Sequence, residues 1–319
     1  MATSSAPAES AAPAPAAGSK LWRPPWVGIL TCVLMFVGVG VGHAVMSFIE
    51  DGLGRDLTYP VSIFLGLGGM VWLWYGVKSK SESFATWTGF FTGIILWMTW
   101  VEFFFMYYGR KNFGMLPRLR EHVVGAPIGE PEYMIMAATI GVLLTMCGFY
   151  LFDKDTRCNM FVWLQDRLGL RAGLGPSTKT AKDRNYAIIT FMETFYVTWF
   201  MYAWNLLIFD PSIVGTGQSA FIAEASTCVL SIVWGGFCFS RLLKYRRTST
   251  ALRYAIPTAN ILWINAEIFS NWGLLTEVWV EPYQYLPEVS LICGAFAVMA
   301  ALIVYAPKKP SETGERLGE

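Results

Sequence analysis

Charge is scarce in this chain. Only 15% of its 319 residues are Asp, Glu, Lys or Arg, whereas an ordinary soluble domain has about a quarter; 54% are hydrophobic. A net charge of +1 leaves no basic excess for nucleic acid, and no RNP, zinc-finger or basic-region pattern occurs. Histidine is scarcer still. His43 and His122 are too few for a multi-histidine metal centre, and His122 falls in a loop, so haem held between two membrane histidines is not expected. The six cysteines (Cys32, Cys147, Cys158, Cys228, Cys238 and Cys293) form no CxxC pair, which argues against a disulfide framework or a zinc site. No metal and no cofactor are expected. No N-x-S/T sequon occurs, and no basic stretch leads into a cleavable apolar core, so a signal peptide is not expected.

Long apolar runs and aromatic residues are abundant instead. Residues 1–20, rich in Ala, Pro and Ser, read as a disordered tail. Eight apolar segments follow, at 26–48, 61–77, 87–108, 133–152, 186–209, 220–239, 255–272 and 286–305. Most reach the roughly 20 residues that cross a hydrocarbon core of about 30 Å, and the second is marginal. In lipid each has to be a helix, because only a helix pairs its own backbone polar groups. The expected fold class is therefore all-α: a polytopic membrane protein of eight transmembrane helices. In the loop after the fourth, residues 159–170 place Phe161, Leu164 and Leu168 on one stripe, predicting a short helix on the membrane surface.

Basic residues set the orientation. One side of the bundle holds only Arg55, Arg110, Lys111, Arg118 and Arg120; every other Lys and Arg falls on the opposite side with both chain ends. The positive-inside rule makes that side cytoplasmic, in a bacterial inner membrane or an endoplasmic reticulum.

The halves can be laid over one another. "MVWLWYG" in the second helix faces "IVWGGFC" in the sixth, and "IILWMTWVEFF" in the third faces "NILWINAEIF" in the seventh. "PEYMIMA" and "PEVSLIC" open the fourth and eighth; "FIED" and "LIFDP" close the first and fifth. The offsets stay within about ten residues of one another, which predicts two parallel four-helix repeats. The expected units are a tail over 1–20, a first repeat over 21–158, a cytoplasmic linker over 159–184, a second repeat over 185–307 and a tail over 308–319.

Ionisable groups inside a membrane segment cost several kcal/mol, so each needs an explanation. The candidates are Glu102, Glu193, Glu224, Glu267 and His43, joined by Asn205, Asn260, Asn265 and Asn271. At about 1.5 Å per residue, Glu102 lies roughly 9 Å inside the outer end of its helix. His43 is about as deep, and Glu224 lies within two turns of the same surface. Asn260, Glu267 and Asn271 share one stripe of the seventh helix beside Trp263. Glu193 stands nearer the cytoplasm. These depths predict a polar cavity opening outward, walled by helices one, three, six and seven. The plainer alternative is that such residues pair between helices without chemistry, which suits Glu224 and Asn205 equally well. His43 also fits a packing role. Gly38, Gly40 and Gly42 lie mid-membrane and read as close helix packing rather than a nucleotide loop.

A carboxylic acid in a low-dielectric cavity can stay protonated and serve as a general acid, and aromatic faces can stabilise a carbocation without trapping it. Isolated acids among excess aromatics therefore suit an enzyme acting on a lipidic substrate. The stretches "LWMTWVEFF", "AEASTC" and "WINAEIFSNWG" resemble the membrane-integral terpene cyclases of meroterpenoid pathways and, more distantly, the sterol-isomerase (emopamil-binding) superfamily. The resemblance implies protonation-initiated cyclisation or isomerisation of an isoprenoid substrate, a lyase or isomerase activity. It suggests Glu102, Glu224 and Glu267 as catalytic groups. By their depth in the membrane, His43, Trp263, Asn260, Asn265, Asn271 and Glu193 are expected to bind substrate. The expected partners are that lipidic substrate and membrane lipid. A proton- or cation-coupled transporter, or a non-catalytic subunit of a membrane complex, is the alternative.

Overall fold

The computed structural model describes residues 22–113, 131–156, 159–175 and 184–304; His122, Cys158, Arg118 and Arg120 lie outside them. Helices dominate, and no strand occurs among the described residues. In chain order they are α1 (Trp26–Leu53), α2 (Arg55–Lys78), α3 (Glu82–Leu96), a π-helical turn (Trp97–Glu102), α4 (Phe103–Phe113), α5 (Pro131–Phe152), α6 (Asn159–Arg167), α7 (Leu170–Leu174), α8 (Tyr186–Phe209), α9 (Pro211–Val214), α10 (Gln218–Leu242), α11 (Thr248–Asn271) and α12 (Leu286–Val304). Five helical runs are long and apolar enough to cross a membrane: α1, α2, the continuous stretch Glu82–Gly109, α10 and α12.

Helices α8 and α11 are as long as these, and both bury polar side chains among their neighbours. Thr190, Thr194 and Asn205 of α8 and Thr258 and Asn265 of α11 are buried against other helices. By contrast α2, α10 and α12 turn large apolar side chains outward, among them Phe64, Leu230, Val233 and Leu291. The core gathers where α1, α3 and α11 meet, around Leu34, Phe90, Leu252 and Ile256.

Small residues let the backbones approach. A Cβ on Gly89 of α3 would collide with the Ala187 carbonyl oxygen, and one on Gly93 would come 2.7 Å from Thr194 Cβ. At this seam the buried Thr194 hydroxyl is satisfied within its own helix, donating to the Thr190 carbonyl at 2.8 Å. Across helices, Thr92 donates to the Gly69 carbonyl at 3.2 Å.

The N-terminal ends of α1, α3, α8 and α11 share one side of the molecule. Glu82, at the start of α3, accepts from Arg247 at 2.9 Å and from Ser249 and Arg253 at 3.0 Å. Arg253 also donates to Thr86 at 2.8 Å and lies over the Tyr186 ring. Asn185 caps α8 and donates to the Val77 carbonyl of α2 at 2.9 Å. Gly28, in the first turn of α1, packs on the Leu242 carbonyl just ahead of α11, so the four helices run parallel.

The short helix α6 packs under α5. Phe161 is buried against Tyr150, and Gln165 donates to the Leu151 and Asp153 carbonyls that end α5. The side facing the protein is thus a Phe161–Gln165 edge, while Trp163 and Leu168 stand exposed.

Candidate functional site

Counting from the shared end at about 1.5 Å per residue, His43, Glu102, Asn205 and Glu267 all stand at a height of roughly 25–30 Å. Four parallel helices thus bring four polar groups to one level. The π-helical turn Trp97–Glu102 ends on Glu102 itself. Such turns widen a helix locally and recur at functional sites.

Glu102 is buried, and both of its carboxylate oxygens are engaged: His43 Nδ1 lies 3.0 Å from Oε1, and Trp97 Nε1 donates to Oε2 at 2.9 Å. On α11 the indole of Trp263 donates to Glu267 Oε1 at 2.5 Å. Each carboxylate is thus held by a tryptophan of its own helix. His43 faces three acids, Glu102, Glu267 and Glu277, in a setting where burial strengthens every charge interaction.

These groups sit where two spaces meet. The inner chamber has a volume of about 70 Å³, taken as the space open to the centre of a water-sized sphere. Its far end is formed by Met35, Phe90, Thr194 and Ile256, and its near end by His43, Glu102, Asn205 and Glu267. By helical rise those ends are about 15 Å apart, so the chamber is long and narrow. Its wall is largely apolar, with Trp97, Trp263 and Tyr202 among the rings facing it. The outer vestibule, about 170 Å³ on the same measure, is more polar and adds Ser47, Glu50 and Glu277. Glu50 is tied to Arg55 at 2.9 Å.

The segment after α11 closes over this region. Trp279 packs on Trp263 with ring centroids 5.1 Å apart and rests on Gly40, whose Cβ would meet it at 3.3 Å. Tyr283 packs on Phe48 at 5.1 Å.

Of the residues singled out in the sequence, His43, Glu102, Glu267, Asn260 and Trp263 line the chamber together, and Asn205 joins them. The others lie elsewhere. Glu224 accepts from Asn271 at 2.9 Å and from Trp272 at 2.5 Å, a latch between α10 and the end of α11. Asn265 donates to Ser231 of α10 at 2.5 Å. Glu193 lies outside both cavities, with Oε2 buried and unbonded. The fourth wall is therefore the fifth long helix, α8, where the depth argument placed the sixth; α10 packs behind α11 instead. Trp97, Tyr202, Glu277 and Trp279 were not singled out. Trp97 could have been found by its match to Trp263, whereas nothing in the sequence places the 272–285 segment over a cavity.

A scan against protein-family models matches none, and searches of curated proteins and of solved structures return no relative.

Proposed function

We propose that this chain is a membrane-embedded enzyme that uses acid–base chemistry to cyclise or isomerise an isoprenoid or similar lipidic substrate. One observation carries the reading: a His–Glu pair and a second glutamate stand at the junction of a long apolar chamber and a polar vestibule. The apolar lining of the first space suits a hydrocarbon chain, the polar lining of the second suits water and protons, and the junction is where a proton can meet a double bond or epoxide.

In this reading His43 handles the proton. Its Nδ1 is committed to Glu102, which orients the ring and balances its charge, leaving Nε2 for the substrate. Protonated His43 gives its proton to an epoxide oxygen or alkene carbon. Glu267, on the facing helix, removes a proton from a neighbouring carbon, so no redox partner is needed. The cation between those steps lies among Trp97, Tyr202 and Trp263, whose ring faces attract positive charge. This role is the one implied by the resemblance to membrane terpene cyclases, carried by Glu102 and Glu267 with His43 and without Glu224.

The same reading takes the eight long helical runs as eight crossings, in two four-helix repeats with both termini cytoplasmic. The matched Trp–Glu pairs of the third and seventh runs support the duplication, and the Arg and Lys at the shared helix end support the orientation. A proton-coupled transporter is the second reading. It is favoured by Glu193, which lies between the chamber and the Glu82–Arg253 cluster and would extend a proton path.

Mass spectrometry of lipids that co-purify with the wild type and with His43→Gln, Glu102→Gln and Glu267→Gln tests the proposal. The expected result is an isoprenoid-type lipid enriched by all four proteins and chemically altered only by the wild type. If no lipid is enriched, and proton uptake into liposomes depends on Glu193, the transporter reading replaces it.

A further inference from the structure

The junction contains an acceptor that the chemistry above does not use. Glu102 has a donor on each oxygen, and Glu267 Oε1 is held by Trp263. Asn205 is only 7% exposed and lines both the chamber and the vestibule, and its Oδ1 has no hydrogen-bond partner. A buried carbonyl oxygen left unpaired is unfavourable. A ligand that brings a donor to that point recovers the loss; one that brings only an acceptor or a methyl group does not. Because this acceptor is a neutral amide, a neutral hydroxyl is enough to satisfy it, and no charge is required of the ligand.

Height fixes the rest of the ligand. Asn205 stands at the same level as His43, Glu102 and Glu267, and the apolar chamber extends from there for about 15 Å towards Phe90 and Ile256. A molecule with its donor at Asn205 must direct its remainder either into the acidic vestibule or down the chamber. Only the chamber suits a hydrocarbon, because the vestibule carries Glu50, Glu267 and Glu277.

We propose that the junction recognises the hydroxyl head of a long-chain lipid, with Asn205 Oδ1 accepting its proton and the apolar tail lying along the inner chamber. This deepens the lipidic-substrate reading and rests on it. Asn205 is then a binding and specificity residue, distinct from the His43–Glu102 pair. The hydroxyl end is held at the level of the proton donor, so the first carbons of the tail lie nearest the reacting groups.

The test compares binding of farnesol, farnesyl methyl ether and farnesylamine to the detergent-solubilised full chain by calorimetry, in wild type and in Asn205→Leu. Farnesol is expected to bind wild type about ten-fold more tightly than the ether, the ratio that one buried hydrogen bond supplies. Asn205→Leu should bind both at the level of the ether. Equal binding of alcohol and ether by the wild type overturns the proposal without reference to any variant. A preference that survives in a folded Asn205→Leu overturns it as well. Tighter binding of farnesylamine than of farnesol makes this a cation site and also overturns it. Repeating the series in His43→Gln separates the two readings. An alcohol preference with no lipid transformed by the wild type leaves this inference standing and removes the enzyme; lipid transformed without the preference does the reverse.

Discussion

The indole donors set the orientation of both central acids. Replacing Trp263 by Phe keeps most of the ring volume but removes the N–H that holds Glu267 Oε1. Turnover of a lipid substrate is expected to fall about ten-fold, roughly the worth of one such hydrogen bond, with the thermal transition little changed. Glu224 provides the contrast. Its two donors, Asn271 and Trp272, belong to a helix-end latch, so Glu224→Gln should lower stability by about 1–2 kcal/mol and leave turnover intact. Parallel melting and turnover assays on the two variants separate the roles, and loss of turnover in a stable Glu224→Gln protein would contradict this placement. The height of Glu102, Glu267 and His43 was legible from sequence because helical rise is fixed. The direction in which a residue faces was not. Asn205 and Glu224 carried the same signal, a polar group in an apolar segment, and only the packing of α10 behind α11 tells them apart.

Among elements, the seam between α3 and α8 is the most exacting. Gly89 and Gly93 admit the neighbouring backbone and Thr194 so closely that any side chain displaces α8, which carries Asn205 into the site. Gly89→Leu is expected to cost at least the 1–3 kcal/mol typical of overpacking and to disturb the chamber, read as a lower melting temperature together with lost ligand binding. The clamp at the other end of α3 is separable from the site. Glu82→Ala strands Arg253 and Arg247 and should destabilise by about 2 kcal/mol without altering ligand affinity. The long helices were readable because apolar runs of this length admit no other backbone. The depth argument went astray on α8, whose polar residues are dispersed among Thr and aromatics and so form no stripe. The fold over 272–285 was not readable, since a loop's path depends on contacts such as Trp279 on Gly40 that have no period.

At the scale of the whole molecule, α2, α10 and α12 turn large apolar side chains outward, while α8 and α11 bury Thr and Asn side chains within the bundle. Such a surface is suited to lipid. The chain is expected to stay with membranes through alkaline carbonate washing and to leave them only with detergent. Reporter fusions at the two ends should both respond from the cytoplasm, because the basic residues collect at the shared helix end. A reporter active only outside the cell at either end would reverse the orientation proposed above.

The π-helical turn has a consequence for the history of the chain. Trp97 and Glu102 are five positions apart, Trp263 and Glu267 four, yet both pairs make the same indole-to-carboxylate bond. A π-turn holds one more residue than an α-turn, so a single extra residue in the first half is absorbed there without moving Glu102 off its partner. On the duplication reading, the turn is the scar of an insertion that selection tolerated only where it left the acid in place. Excising Thr99 should then yield a folded protein with a continuous α-helix and an intact Trp97–carboxylate contact, whereas the same excision from α11 should break its pair.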